Sequence, residues 1–351
     1  MSGSAGGKAG AGLRLIAAAA AGATAAGAAR VAYSTMNRRP PGGTKLWSRT
    51  NHRAEAVTLL EGPAVTVGAI AGLAAQAGLG ALTRSATSRP GASWRSSAAM
   101  ALAGAGAAAF GAYDDLAGSG DRRGFRGHLG ALRHGEVTTG AVKLGGIGAT
   151  GILSAAVAGG SPADVVINAG LIAGGANLLN LFDLRPGRAI KVAAAAGALI
   201  AAGGESSKTA ALAAQAGTVL PPRAVLALAA PAGAALALLP EDLGERAMLG
   251  DCGANALGAM LGASAAGLPR PARIALLAAI AGLTAASEKV SFTKVIERTP
   301  ALRWLDMLGR RPARKEPVVS IPAQRRGAMS MTGASTTARS ADKTDAPPPD
   351  D

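Results

Sequence analysis

Aromatic residues make up only 3% of this 351-residue chain, histidine appears three times and cysteine once. A single cysteine, Cys252, excludes an intramolecular disulfide and a cysteine-based zinc site. Glycine is abundant, at 50 residues, but follows no G-X-Y period, and the alanines gather in long apolar blocks, so collagen and wholesale disorder are excluded. Half of the chain, 49%, is hydrophobic. Its apolar blocks approach the roughly 20 residues that cross a bilayer. Alanine is weakly apolar, so such helices depend on close packing through small residues. The +15 net charge would suggest nucleic acid in a soluble protein. Beside membrane-length blocks it is read instead as cytoplasmic loops and contact with anionic lipid, with no nucleic-acid partner.

The apolar blocks run Leu13–Ala29, Val57–Leu82, Ala98–Tyr113, Leu144–Gly160, Val165–Phe182, Ala189–Ala202, Ala224–Leu239, Met248–Leu268 and Ile274–Ala286. The expected fold class is therefore all-α, a polytopic membrane helical bundle of about nine spans, ten at most. Ala210–Leu220 is read as a surface or re-entrant segment. Arg30–Arg53, broken by Pro40-Pro41-Gly42-Gly43, is read as a loop. With a non-cytoplasmic N-terminus, the inside loops carry most of the Lys and Arg. This orientation gathers Asp114, Asp115, Asp183 and Asp251 at the cytoplasmic face. Residues 1–290 form the expected transmembrane domain. Residues 291–351 form a basic tail, with a short helix at Ala301–Leu308 and disorder after about 311.

Two phosphate-loop lookalikes fail on context. Gly146-Ile-Gly148-Ala-Thr-Gly151 lies inside an apolar block without a preceding strand. Gly203-Gly-Glu-Ser-Ser-Lys208 lacks the glycine before its lysine.

Three acidic stretches remain. NLLNLFDLRPGRAIK, from Asn177 to Lys191, places Asn177, Asn180 and Asp183 on one helical stripe, followed by Arg185, Arg188 and Lys191. A carboxylate at the mouth of an apolar helix is a functional candidate, because at the bilayer centre it would cost roughly 2.5–3.5 kcal/mol. The AYDD pair, Asp114 and Asp115, closes a block and opposes the helix dipole, so it needs a metal or a proton-transfer role to justify it. Asp251, in MLGDCGANALG, opens a block where an acid suits the dipole, and glycines on both sides permit close approach of a ligand.

AYDD, NLLNLFDLRPG and MLGDCGANALG, each at the same end of a span, resemble the polyprenyl-phosphate N-acetylhexosamine-1-phosphate transferase family over residues 30–290. The resemblance implies a Mg²⁺- or Mn²⁺-dependent enzyme of the plasma membrane, with its active site on the cytoplasmic face. In that reaction polyprenyl phosphate attacks the β-phosphorus of a UDP-amino sugar and UMP leaves, which starts a cell-envelope glycan. It implies that Asp114 and Asp115 bind or deprotonate the lipid phosphate and that Asp183 and Asp251 serve the metal. Asn177, Asn180 and Lys143 then match substrate-binding positions, and Arg185, Arg188 and Lys191 stand where a diphosphate needs countercharge. A homodimer is among the expected assemblies.

The chain departs from the family at Leu184-Arg-Pro186-Gly187, where a second acid is missing, and at Ala254, which replaces a serine. No histidine follows residue 287, where the family carries a histidine-rich motif; Ser287-Glu-Lys-Val-Ser-Phe-Thr-Lys294 stands there instead. Two alternatives stay open: a non-catalytic relative that binds polyprenyl phosphate, and a cation-coupled transporter.

Overall fold

The computed structural model describes residues 3–82, 92–118, 134–203 and 223–312. The first compact unit runs from Met1 to Arg311. It therefore takes in residues 291–311, which the sequence reading assigned to a separate tail. The lookalike at Gly203–Lys208, apart from its first residue, and the segment Ala210–Leu220 lie outside the described residues.

The described chain is mostly helical. Helix α1 (Gly3–Arg38) is followed by the short α2 (Thr44–Trp47) and by a hairpin of β1 (Ser48–Thr50) and β2 (Ala56–Thr58). Then come α3 (Glu61–Leu82), α4 (Ala92–Ala117), α5 (Thr139–Ala158), α6 (Pro162–Phe182), α7 (Arg188–Gly203), α8 (Arg223–Leu243) and α9 (Gly250–Ser264). The described chain closes with α10 (Arg270–Ser287), α11 (Phe292–Arg298) and α12 (Pro300–Met307). Each of the nine apolar blocks is helical over most of its length. Helix α1 continues past the expected boundary because nothing breaks it before Pro40-Pro41. The second block starts with strand β2 and becomes helical only at Glu61.

Among the described residues, five helical segments are long and apolar enough to cross a membrane: Leu15–Arg38, Glu61–Ala81, Thr139–Ala158, Pro162–Phe182 and Val225–Leu243. Helices α10 and α11, bent by 93° at their junction, make a sixth if counted as one broken span.

Helix α9 is the axis of the bundle. Twelve of its fifteen residues are buried, so it is enclosed by neighbours on all sides. Side chains alone do not explain how so many helices reach it. Its glycines let backbones meet. A Cβ added at Gly62 of α3 would fall 2.6 Å from the Gly253 nitrogen, and one at Gly175 of α6 would fall 2.6 Å from the Gly258 carbonyl oxygen. Gly151 likewise meets the Ala169 carbonyl across α5 and α6. The G-x-G-x-x-G stretch is thus the interior of a packed helix.

This packing sets which helix ends meet. The hairpin binds the loop before α9 through a parallel bridge, Thr58 to Ala247. At the same end lie the start of α3, the end of α4, the start of α5, the end of α6, the start of α7 and the end of α8. At the start of α6, Asp164 closes a capping box with Ser161. It also pairs with Arg270 at 2.9 Å and Arg273 at 2.8 Å, tying α6 to α10.

Candidate functional site

Lys143, in the second turn of α5, points between two helix ends. Its Nζ lies 2.6 Å from Asp114 Oδ2 at the end of α4 and also pairs with Asp251 at the start of α9. Two of the three acidic stretches are thereby joined through one cation. All three side chains are largely buried yet retain some exposure (15–26%), so the triad borders an accessible surface.

Asp115 has a different environment. Its Oδ1 accepts from the Asp251 N–H at 3.2 Å and its Oδ2 from the Cys252 N–H at 2.9 Å. It therefore supplies, from another helix, the acceptor that the first turn of α9 lacks. Gly250 makes room for it: its φ is +60°, and a Cβ there would sit 3.0 Å from Asp115 Oδ2. The two aspartates expected to act as a pair are divided between an ion triad and a helix cap. Adjacent residues on a helix point about 100° apart, which is the reason.

Asp183 caps the end of α6. The Gly250 N–H donates to its carboxylate, and its Oδ2 is buried with no hydrogen-bond partner. Burial, then the negative charge of Asp242, Asp251 and Asp115, pushes Asp183 well above the usual carboxylate range. Two residues missed by sequence reasoning complete this neighbourhood. Glu61, the first residue of α3, is fully buried (0% exposed) with both carboxylate oxygens unpartnered. Asp242, near the end of α8, is 2% exposed and leaves Oδ2 unpartnered, although the Gly187 N–H reaches its carboxylate. The signal was available: Glu61 is the one acid inside the block Val57–Leu82, and Asp242 stands just past the block Ala224–Leu239.

Asn177 and Asn180 are half-buried on the α6 stripe that leads to Asp183. The cations after Asp183 depart from expectation. Arg188 is 3% exposed, and its guanidinium grips Asp306 of α12 with two hydrogen bonds, 2.7 and 3.0 Å, while also donating to Thr293 at 2.9 Å. Lys191 donates to the carbonyls of Leu305, Asp306 and Leu308 at 3.1, 2.8 and 2.6 Å, satisfying the open end of α12. Arg185 faces Glu297 at 3.7 Å. Phe182 stacks on Phe292, with centroids 4.9 Å apart. The basic cluster expected to face a diphosphate thus holds the segment 292–310 in place.

Burial alone would raise Asp306, but Arg188, Arg310 and Lys191 hold it below its ordinary value. The lowered carboxylate contributes stability above its unfolded pKa, and that contribution is lost as pH falls through the folded value. Asp306→Ala strands the buried Arg188, at a cost of about 3–5 kcal/mol. Limited trypsin digestion should then cut at Arg298 and Arg303 in the variant well before the parent chain.

Among the described residues, no three His, Cys, Asp or Glu side chains are arranged to hold one metal ion. Asp251, expected to share the metal with Asp183, is engaged by Lys143. A cavity of about 310 Å³ opens between α7 and α8, lined by Ile190, Gly197, Leu228, Leu236 and Leu257 and by none of the site's charged residues.

Compared with known proteins, the chain matches no protein-family model, and a search of curated proteins returns no match.

Proposed function

We propose that the protein is a membrane phosphoglycosyltransferase: it transfers a sugar 1-phosphate from a UDP-amino sugar to polyprenyl phosphate and releases UMP. It is a divergent relative of the polyprenyl-phosphate N-acetylhexosamine-1-phosphate transferases, with nine spans in the plasma membrane and its site on the cytoplasmic face. The observation that carries this reading is the convergence of Asp114, Lys143, Asp183 and Asp251, from four helices, on one end of the bundle. The Lys- and Arg-rich loops at that end support a cytoplasmic site by the positive-inside rule.

The donor set suits a hydrated Mg²⁺. Asp183, Glu61 and Asp242 present buried oxygens with no donor, and unpaired buried charge is costly without a cation. Mg²⁺ typically takes one or two carboxylates and keeps several waters, so a three-ligand cage is not required. Asp183 would hold it, and when bound it would neutralise charge on the diphosphate. Lys143 fixes Asp114 and Asp251 and supplies a cation to phosphate oxygens. Asp114, free of the capping task that occupies Asp115, accepts the proton of the lipid phosphate as its oxygen bonds to the β-phosphorus. The bond from the β-phosphorus to the bridging oxygen breaks, and UMP departs with that oxygen. The apolar cavity between α7 and α8 gives the lipid chain a place beside Ile190.

A panel of UDP-sugars, assayed for UMP release in polyprenyl phosphate-supplied membranes with and without Mg²⁺, tests the proposal. Release that requires both Mg²⁺ and lipid phosphate is expected. The carboxylate oxygens of Glu61, Asp183 and Asp242 that lack a donor also favour cation-coupled transport. Solute uptake by reconstituted protein without UMP release would select that reading.

A further inference from the structure

Helix α12 is built inside out. The side chain it turns toward the protein is a carboxylate, Asp306, only 7% exposed and gripped by Arg188 and Arg310. Two residues earlier, about 200° around the helix, stands Trp304, 65% exposed, and Leu308, the residue that ends the helix, is 54% exposed. Leu305 and Met307 extend this apolar face, at 50% and 42%. No described element covers it. A helix that buries its carboxylate and exposes a tryptophan, two leucines and a methionine is arranged for a non-aqueous surrounding.

Two further observations identify that surrounding. The first is depth. Lys191 holds the last carbonyls of α12 and lies three residues into α7, about 4.5 Å along its axis at 1.5 Å per residue. Helix α12 therefore lies level with the first turn of α7, and Phe292 of the preceding helix stacks on Phe182, the last residue of the membrane-length segment Pro162–Phe182. The second is charge. Exposed Arg298 and Arg303 flank Trp304 around a notch of about 370 Å³ that Glu297 also lines; with exposed Lys294 on the adjoining helix α11 the basic residues outnumber that acid three to one. Basic residues beside an apolar face with tryptophan are the layout of a helix lying in the membrane interface.

We propose that α12 is an interfacial anchor: Trp304, Leu305 and Leu308 enter the anionic leaflet at the level of its glycerol groups, while Arg298 and Arg303 bind phospholipid phosphates. The anchor requires membrane-crossing helices but not the transfer reaction. It clamps the segment that occupies Arg188 and Lys191 between the bundle and the lipid.

The full chain and Trp304→Phe are reconstituted in phosphatidylcholine–phosphatidylglycerol nanodiscs, and their emission difference isolates Trp304. That component should be blue-shifted. Lipids brominated near the glycerol end of the acyl chain should remove most of it, whereas iodide should spare it. Arg298→Glu combined with Arg303→Glu should weaken the quenching, and replacing phosphatidylglycerol by phosphatidylcholine should have the same effect. Quenching by iodide instead of bromine would overturn the anchor, because the face would then be in water. Protection from both quenchers would also overturn it, because protein, whether a second copy or other residues of this chain, would then cover the face.

Discussion

Asp183→Asn should lower Mg²⁺-dependent UMP release by about two to three orders of magnitude, the scale set by removing one preorganised electrostatic group from a reacting centre. The same change should not lower stability. Asp183 is pushed up in the folded protein by burial and by Asp242, Asp251 and Asp115. A group with a raised pKa destabilises the fold once pH exceeds its unfolded value, because the folded state then resists releasing the proton. Replacing it by a neutral amide removes that penalty above the ordinary carboxylate range. A thermal midpoint in detergent equal to or above the parent's, together with lost turnover, is the expected pair of results. Mn²⁺ binding followed by electron paramagnetic resonance gives a readout independent of turnover and should weaken in Asp183→Asn. Unchanged UMP release in the variant would remove Asp183 from the site. Strong Mn²⁺ binding without UMP release from any donor would keep the cation and discard the transferase.

Gly62→Val should prevent recovery of a folded protein. The added Cβ would meet the Gly253 nitrogen at 2.6 Å and the Leu249 carbonyl closer still. Both are backbone atoms, so no rotamer change relieves the contact, and α3 and α9 must separate. Overpacking typically costs 1–3 kcal/mol and occasionally more, and a contact between two backbones belongs at the upper end. Gly78→Val is the control, since it is the same change in the same helix with nothing within 4 Å of the new Cβ. The yield of monodisperse protein in mild detergent measures both. Gly78→Val should match the parent, and Gly62→Val should be lost to aggregate. Equal yields would show that the central packing of α9 tolerates what the geometry forbids.

The helices were legible because apolar length and the Pro-Gly breaks are local properties. The block Val165–Phe182 is the helix Pro162–Phe182, which starts earlier because Ser161 and Asp164 form a capping box that the sequence reading did not use. The short helix expected at Ala301–Leu308 appears as Pro300–Met307, with proline in its first turn. That Lys143 joins Asp114 and Asp251 was legible only as a shared end of the bundle. Glu61 and Asp242 escaped because each is a lone acid outside the three acidic stretches, and its burial beside Asp183 depends on how the helix ends pack.

By itself the sequence determined which stretches are helical and which acids stand at their ends, since both depend on neighbours a few residues away. Only the tertiary structure decided what each charged group does. Asp115 became the cap of α9 because Gly250 leaves space for a carboxylate from another helix. Arg188 became the partner of Asp306, 118 residues away, because a guanidinium buried at the start of α7 needs an anion close by. Such pairings depend on which helix ends the glycine-lined crossings of α9 bring together, and spacing along the chain does not encode that.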